Sequence, residues 1–253
     1  MSKLLIIVTN DDGIRAPGLR SLARALETVA EVIVVAPSEE RSATSHSLTI
    51  HHPVRIDTAG RRRYAVTGTP VDCVLFALQK ISPRKPDMVI AGINAGANLG
   101  DDTMYSGTVA AAREASLYQI PAMAVSQAVL RNKPNYSVAA DFTRELAIRI
   151  LKHGLPPGVF LNLNFPVDKP LGVKVTRQGT KLVQSFIAEK DDPRGRKYYW
   201  IGEDQSEWNV EPDTDYFAVK SGYVSISPLQ RDQTAHDVLK SIRRSLNGGK
   251  RRR

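Results

Sequence analysis

Apolar strand patterns and amphipathic helix patterns alternate through the first 165 of the 253 residues. Residues 3–9 form a near-continuous apolar run, which is typical of a strand covered on both faces. From Pro17 the apolar residues follow helical spacing, and residues 31–36 supply a second apolar strand. Because this alternation builds parallel sheets with helices on both faces, we predict a Rossmann-like α/β catalytic core over residues 1–165.

The later elements of this core follow the same alternation. Further helices are predicted from Pro70, over residues 108–117 and around residues 138–150, and strands over residues 47–56, 64–66, 87–91, 121–125 and 159–163. Residues 92–105 are rich in glycine and asparagine, so they are predicted to form a long loop.

Past Pro166 the pattern changes to short alternating segments. Residues 173–176 and 183–187 predict antiparallel strands, and residues 190–195 predict a hairpin turn before the aromatic segment 198–201. We therefore interpret residues 166–253 as a C-terminal extension with a β-hairpin, a late strand and a tail helix. An apolar hairpin with exposed edges favours packing on a neighbouring subunit, although a local extension of the sheet explains the pattern equally well.

Composition excludes some classes of protein and leaves others open. Hydrophobic residues make up 42% of the chain, but no apolar run approaches the roughly 20 residues that a bilayer requires. The single cysteine, Cys73, allows no intrachain disulfide, so we expect a cytoplasmic protein with Cys73 in its core. The net charge of +9 favours anionic partners, but the basic residues 250–253 are expected to be a solvated tail.

Three polar clusters follow predicted strands. The first is Asn10-Asp11-Asp12-Gly13, where a bend eased by glycine turns both carboxylates toward one cation. A plain turn in which Asp12 caps the next helix is the alternative interpretation. The second cluster, residues 39–47, offers hydroxyls, a guanidinium and the imidazole of His46, although polar loops of this kind are usually only solvated.

The third cluster runs from Gly92 to Asp102 and leads to Ser106 at the head of a helix. Glycines let backbone amides approach an anion, and a helix N-terminus adds free N–H groups, so this segment predicts a phosphate site. A flexible loop with Ser106 as an ordinary N-cap remains the alternative. Because parallel strands end at one edge of the sheet, the three clusters are expected to converge there. Their oxygen atoms suit Mg²⁺ or Mn²⁺, and no Cys/His set indicates zinc.

The same residues resemble the SurE family, the survival protein E nucleotidases. The matching motifs lie in residues 8–14, 36–47, 68–74 and 92–109, and residues 222–229 resemble the late strand of the family. Two positions depart from the family pattern, Ala97 in place of proline and Ala115 in place of glycine, and neither is a proposed ligand.

The resemblance implies one divalent metal ion per subunit and a homodimer or homotetramer that exchanges C-terminal elements. It implies metal ligation by Asp11, Asp12, Ser42 and Asn94, and phosphate contacts from Asn98, Ser106, Gly107 and Thr108. The expected reaction is hydrolysis of nucleoside 5′-monophosphates, and of 3′-monophosphates or short polyphosphate as further substrates, by a metal-activated water. Asp11 and Asp12 are the expected catalytic residues.

The leaving-group acid and the class of function each have an alternative. His46 is the candidate for the leaving-group acid. The alternative interpretation, a structural histidine that bonds its own loop, explains this residue at least as well. A haloacid dehalogenase-type phosphatase requires Asp-x-Asp spacing, which adjacent Asp11 and Asp12 lack. The rival from another class is a nucleic-acid-binding protein that uses the basic surface and tail, and it predicts binding that is indifferent to Asp11 substitution.

Overall fold

The computed structural model describes residues 3–129, 134–182, 185–203, 207–208 and 210–247. Its strands are β1 (Leu5–Thr9), β2 (Glu31–Pro37), β3 (Ile56–Gly60), β4 (Arg63–Val66), β5 (Met88–Ala95), β6 (Ala122–Gln127), β7 (Val159–Phe165), β8 (Val173–Val175), β9 (Lys181–Leu182), β10 (Ser185–Asp191), β11 (Lys197–Glu203), β12 (Glu207–Trp208) and β13 (Val224–Gln230). Its α-helices are α1 (Pro17–Glu27), α2 (Pro70–Phe76), α3 (Gly107–Leu117), α4 (Ser137–His153), α5 (Asp215–Lys220) and α6 (Leu239–Asn247).

Nine strands form one sheet in the order β3-β4-β2-β1-β5-β6-β7-β13-β8. The six strands from β4 to β7 in this order run parallel. Their side chains are buried on both faces, because α1 and α4 cover one face and α2 and α3 cover the other. This arrangement confirms the predicted α/β fold with a mostly parallel sheet, and it brings the carboxyl ends of β1, β2 and β5 to one edge.

The two ends of the sheet are mixed. At one end β3 pairs antiparallel with β4, and at the other β13 pairs antiparallel with β7. The prediction that residues 173–176 belong to an antiparallel pair was wrong, because β8 pairs parallel with β13. The connection between these two strands is long enough for a parallel crossover, since it carries the hairpin and α5. Residues 183–184 of the other predicted strand lie outside the described residues.

Several boundaries differ from those predicted. The strand predicted over residues 47–56 forms only from Ile56 onward. β5 extends to Ala95, beyond the predicted end, because its pairing with β6 resumes at Asn94 after an irregularity in register. The loop predicted over residues 92–105 contains a 3-10 helix, Gly100–Met104, and α2 continues as a π-helical turn, Ala77–Ile81. Cys73 is buried in the core, as expected.

The C-terminal part contributes β13 and β8 to the main sheet and adds a separate hairpin of β10 and β11. Its turn lies where it was predicted, and Asp192 closes it by accepting N–H groups from Arg194 and Arg196. The division into a core and an extension at residue 165 stays an interpretation, because two strands of the extension belong to the main sheet. None of the helices in the described residues is both long and apolar enough to cross a membrane.

Candidate active site

Asp11 and Asp12 lie directly after β1, at the carboxyl edge of the sheet. Gly13 has a φ of 95°, and a Cβ there would lie 3.1 Å from the backbone carbon of Glu39, so the bend requires glycine. The N-cap of α1 is Ala16, which makes no side-chain cap hydrogen bond. Asp12 therefore does not cap this helix, and both carboxylates are available to the edge of the sheet.

Asp11 is buried and is held by the first turn of α3. Its Oδ2 accepts the backbone N–H of Thr108 at 3.1 Å, and its Oδ1 accepts the Thr108 hydroxyl. Gly107 packs closely against the same side chain, since a Cβ there would lie 2.9 Å from the Asp11 Cβ. Burial raises the pKa of Asp11 above 3.8, and the hydrogen bonds from Thr108 oppose that rise.

Asp12 is half-buried, and its Oδ2 accepts the backbone N–H of Ala95 at 3.2 Å. Burial, followed by the negative charge of Asp11, raises the pKa of Asp12 to about 6. The charge of Glu40 contributes to the upward shifts of both aspartates, and no cationic side chain is among the causes. Negative charge from three carboxyl groups is thus concentrated at this point.

The loop after β2 carries Ser42 to the same point. The backbone N–H of Arg41 donates to the carbonyl of Asp11 at 2.7 Å, which fixes the loop against the end of β1. The hydroxyl of Ser42 donates to Glu40 Oε1 at 2.8 Å. Glu40 was not among the predicted site residues, because an acidic residue in an exposed polar loop gives no signal that it faces the aspartates.

The last residues of β5 and the loop after it supply the remaining side chains. Asn94 Nδ2 donates to the carbonyl of Gly96 at 2.8 Å. The amide oxygen of Asn94 takes no part in that hydrogen bond. Asn98 is nearly buried, and its Nδ2 donates to Ser126 Oγ at 2.7 Å. Ser106 is the N-cap of α3, and its Oγ accepts the Val109 N–H at 3.1 Å. The predicted N-cap is therefore present.

These segments surround one open cleft of about 680 Å³. Six of the predicted site residues line it: Asp11, Asp12, Ser42, Asn94, Asn98 and Ser106. Gly107 and Thr108 are absent from the lining and lie behind Asp11 instead. The cleft also reaches Tyr105 and, on the hairpin strand β11, Ile201, both of which are well exposed.

His46, like Gly107 and Thr108, is a predicted residue that does not line the cleft. Its Nε2 lies 2.7 Å from Glu114 Oε2 on α3, and it does not line the cleft over Asp11. Glu114 is buried, with 6% of its surface exposed. The imidazole therefore has a carboxylate partner from another element, which the sequence did not reveal because an acidic residue on a helix is most often solvent-facing.

The donor set suits a hard divalent cation. Two carboxylates, a hydroxyl and an amide oxygen are the kinds of ligand that Mg²⁺ and Mn²⁺ take, and the negative charge concentrated at Asp11 and Asp12 favours a cation there. Within the described residues no group of three or more His, Cys, Asp or Glu side chains is placed to hold a metal, so a zinc-type ligand set is absent from that part.

Comparison with known proteins agrees with this geometry. Residues 6–185 match the family model described as survival protein SurE. The 5′-nucleotidase SurE of Geobacter metallireducens is 48% identical over 242 residues, which cover 94% of this chain and 96% of that protein. The 5′-nucleotidase SurE of Geobacter sulfurreducens is also 48% identical, and the match covers 92% of this chain and 90% of that protein.

A solved structure extends the agreement to the whole fold. The crystal structure of the SurE protein from Aquifex aeolicus superposes with a TM-score of 0.84 at 38% identity, and covers 96% of this chain and 99% of its own. The family match spans the strand ends that carry Asp11, Ser42 and Asn94. The chain therefore belongs to the SurE family.

Proposed function

We propose that this chain is a divalent-metal-dependent 5′-nucleotidase that hydrolyses nucleoside monophosphates to nucleoside and phosphate. The observation that carries the proposal is the convergence of carboxylate, hydroxyl and amide groups from three strand ends on one open cleft. The names of the curated relatives, 5′-nucleotidase SurE, support the same activity. Hydrolysis of 3′-monophosphates or short polyphosphate stays a prediction.

The metal site is assigned to four residues: Asp11, Asp12, Ser42 and Asn94. A divalent ion, Mg²⁺ or Mn²⁺, would neutralise the phosphate and lower the pKa of a water nucleophile when bound. Asp11 is the residue best placed to orient that water, because Thr108 and Gly107 fix its carboxylate from behind. Asp12 keeps its carboxylate ionised near neutral pH, since its pKa of about 6 lies below that range.

The phosphate is assigned to Asn98 and Ser106, which line the same cleft. Ser106 Oγ accepts the Val109 N–H, so its own hydroxyl proton remains available to a phosphate oxygen. The N-terminus of α3 adds the favourable end of the helix dipole to the same place. Phosphate contacts from Gly107 and Thr108 stay a prediction, and the support for these two residues is stronger as the partners that place Asp11.

An apolar surface of the cleft could contact the nucleobase. Tyr105 and Ile201 are 61% and 83% exposed and line the same cleft as Asp11. A tyrosine ring stacks on any base, so this arrangement supports acceptance of several nucleotides. Replacing Tyr105 with alanine should raise KM for nucleoside monophosphates and leave KM for ribose 5-phosphate unchanged. Equal effects on both substrates would exclude stacking.

The first test of the activity is phosphate release by metal-stripped protein from a panel of nucleoside monophosphates, with and without added Mg²⁺ or Mn²⁺. Asp11→Asn should abolish the metal-restored release. Asp57→Asn is the matched control, because Asp57 is an exposed aspartate on β3 and the substitution makes the same chemical change away from the cleft. Absence of release from wild-type protein with every metal and nucleotide would refute the nucleotidase.

The role of His46 as leaving-group acid stays a prediction with weaker support. Its Nε2 is engaged by Glu114 and it lies outside the lining of the cleft. If His46 is the leaving-group acid, His46→Gln should lower kcat. If His46 only holds the loop, His46→Gln should keep kcat, because the glutamine amide supplies an equivalent N–H donor.

A homodimer or homotetramer with exchanged C-terminal elements also stays a prediction. Exposed apolar side chains on two elements support it: Tyr199, Trp200 and Ile201 on the hairpin, and Ile242 and Leu246 on α6. Light scattering after size-exclusion chromatography should show an oligomer for the native chain. The double variant Ile242→Asp and Leu246→Asp should shift it toward smaller species, and an unchanged mass would remove α6 from the interface.

Nucleic-acid binding is the second candidate. A cleft of about 850 Å³ between α1 and the β3–β4 hairpin is lined by four arginines: Arg15, Arg20, Arg24 and Arg63. Basic clefts attract polyanions, and binding through them weakens steeply with salt. Replacing Arg20 and Arg24 with alanine should weaken oligonucleotide binding more than Arg149→Ala, an exposed control on α4. Equal binding by all the variants would remove this cleft as the site.

A further inference from the structure

The contact between His46 and Glu114 joins the metal-site loop to the covering helix α3. Glu114 lies seven residues after Gly107, which is about 10 Å along the helix from the phosphate end. Its side chain is 8% exposed and that of His46 is 26% exposed. A carboxylate this deeply buried is costly without a partner, so the contact at 2.7 Å is a specific requirement of the fold.

The loop that His46 anchors has a strained backbone. Ala43 and Ser45 have φ values of 55° and 53°, in the left-handed region that side chains other than glycine and asparagine avoid. A residue with a Cβ is unfavourable in this conformation and persists there only where its surroundings hold it. Ser42, the proposed metal ligand, lies immediately before this pair of strained positions.

Several contacts hold the loop on different sides. Near Ser42, the Arg41 N–H donates to the carbonyl of Asp11 at 2.7 Å. After it, the Ser45 N–H donates to the carbonyl of Tyr105 at 3.0 Å. Both are backbone contacts to neighbours in the cleft. The pair formed by His46 reaches beyond the cleft, to the body of α3, one residue after the strained Ser45 and one before Ser47, whose carbonyl accepts the Thr69 hydroxyl at 2.7 Å.

We propose that the His46–Glu114 pair holds the loop in the conformation that presents Ser42 to the metal, so that both are positioning residues. The inference rests on the proposed function for its kinetic consequence, but its effect on metal binding does not require turnover. Partners that orient metal ligands from behind typically change metal affinity by about 10–100-fold when removed. Neither residue lines the cleft, which separates this role from direct contact with substrate.

The test measures Mn²⁺ affinity of full-length protein by electron paramagnetic resonance of the free ion, together with hydrogen exchange across residues 38–47. Glu114→Ala and His46→Leu should each weaken Mn²⁺ binding by about 10-fold or more and speed exchange in the loop. His46→Gln, whose amide N–H reaches Glu114 in place of Nε2, should restore binding to within about 3-fold of wild type. His52→Leu is the control, because it replaces an exposed histidine six residues after His46. It should change neither the Mn²⁺ affinity nor the exchange in the loop.

Two further measurements keep the outcome decisive. If a single variant does not fold, the double variant His46→Ala with Glu114→Gln removes the pair without leaving a buried charge, and it should show the same loss of Mn²⁺ affinity. Variants that melt earlier but bind Mn²⁺ with wild-type affinity would overturn the proposal and leave a purely structural pair. Wild-type protein that binds Mn²⁺ without releasing phosphate would refute the nucleotidase while leaving the positioning role testable by affinity.

Discussion

Replacing Gly107 with alanine tests the placement of Asp11 more directly than replacing Asp11 itself. The added Cβ would lie 2.9 Å from the Asp11 Cβ, 3.0 Å from Pro70 Cγ and 3.1 Å from Asp11 Oδ2. Carbon atoms in contact normally lie about 3.5–4.0 Å apart, so the methyl overlaps Asp11 by roughly 0.6 Å or more. The overlap includes the Asp11 Cβ, so the whole side chain of Asp11 must shift and takes its carboxylate with it.

The magnitude follows from these contacts. Alanine in a helix is about 0.5–1 kcal/mol more stable than glycine, whereas overpacking costs about 1–3 kcal/mol, so the net loss of stability is on the order of 1–2 kcal/mol. For a chain of this size that is a few degrees in melting temperature. Displacing a positioned catalytic group by about 1 Å costs about 100-fold in rate, so kcat/KM should fall by at least that factor.

The assay is metal-restored phosphate release from a nucleoside monophosphate, measured beside the thermal melt. The matched control is Gly172→Ala, whose Cβ would meet nothing closer than 3.4 Å, on Tyr223. The control should retain wild-type kcat/KM and melting temperature. If Gly107→Ala keeps more than a third of wild-type kcat/KM, the inference that Asp11 is held by close packing against α3 is refuted.

Three other substitutions or conditions give defined results. Lowering the pH below about 6 should weaken Mn²⁺ binding progressively, because protons then compete for Asp12, and titrations at pH 5 and pH 7.5 compare the two states. Thr108→Val removes the hydroxyl donor of Asp11 and should lower kcat about 10-fold, while Thr108→Ser should retain it; equal kcat values would exclude that bond. Asp215→Asn should lower stability by about 1–3 kcal/mol in chemical denaturation, since its buried Oδ2 accepts the Gly100 N–H at 2.8 Å and an amide nitrogen there cannot.

The sequence predicted the parts of the site that follow from sheet topology. Parallel strands all end at the same edge, so polar residues after β1, β2 and β5 had to meet once the strands were recognised. Six of the predicted site residues line one cleft for that reason. The order of strands at the far edge was less predictable, because β8 pairs with β13 across a connection of about 50 residues that local patterns do not describe.

The role of Thr108 shows a different limit. Its position at the head of α3 predicted a donor for phosphate, and the structure turns both of its donors to Asp11. Which anion a helix N-terminus meets depends on the rotation of the helix about its axis. That rotation is set by packing of α3 against β5 and β6, and small residues at most positions of α3 give no preferred face from sequence alone.

The same absence of a preferred face explains why Glu114 gave no signal. On an amphipathic helix an acidic residue is assigned to the solvent side by its spacing from apolar neighbours, but α3 is buried on almost all sides. A charged side chain in such a helix must meet a partner, and the candidates are the polar groups of whatever loop crosses it. His46, one residue beyond two strained positions, is the group that does so. A buried charge on a helix without a polar face therefore indicates a loop contact, and here that loop carries a proposed metal ligand.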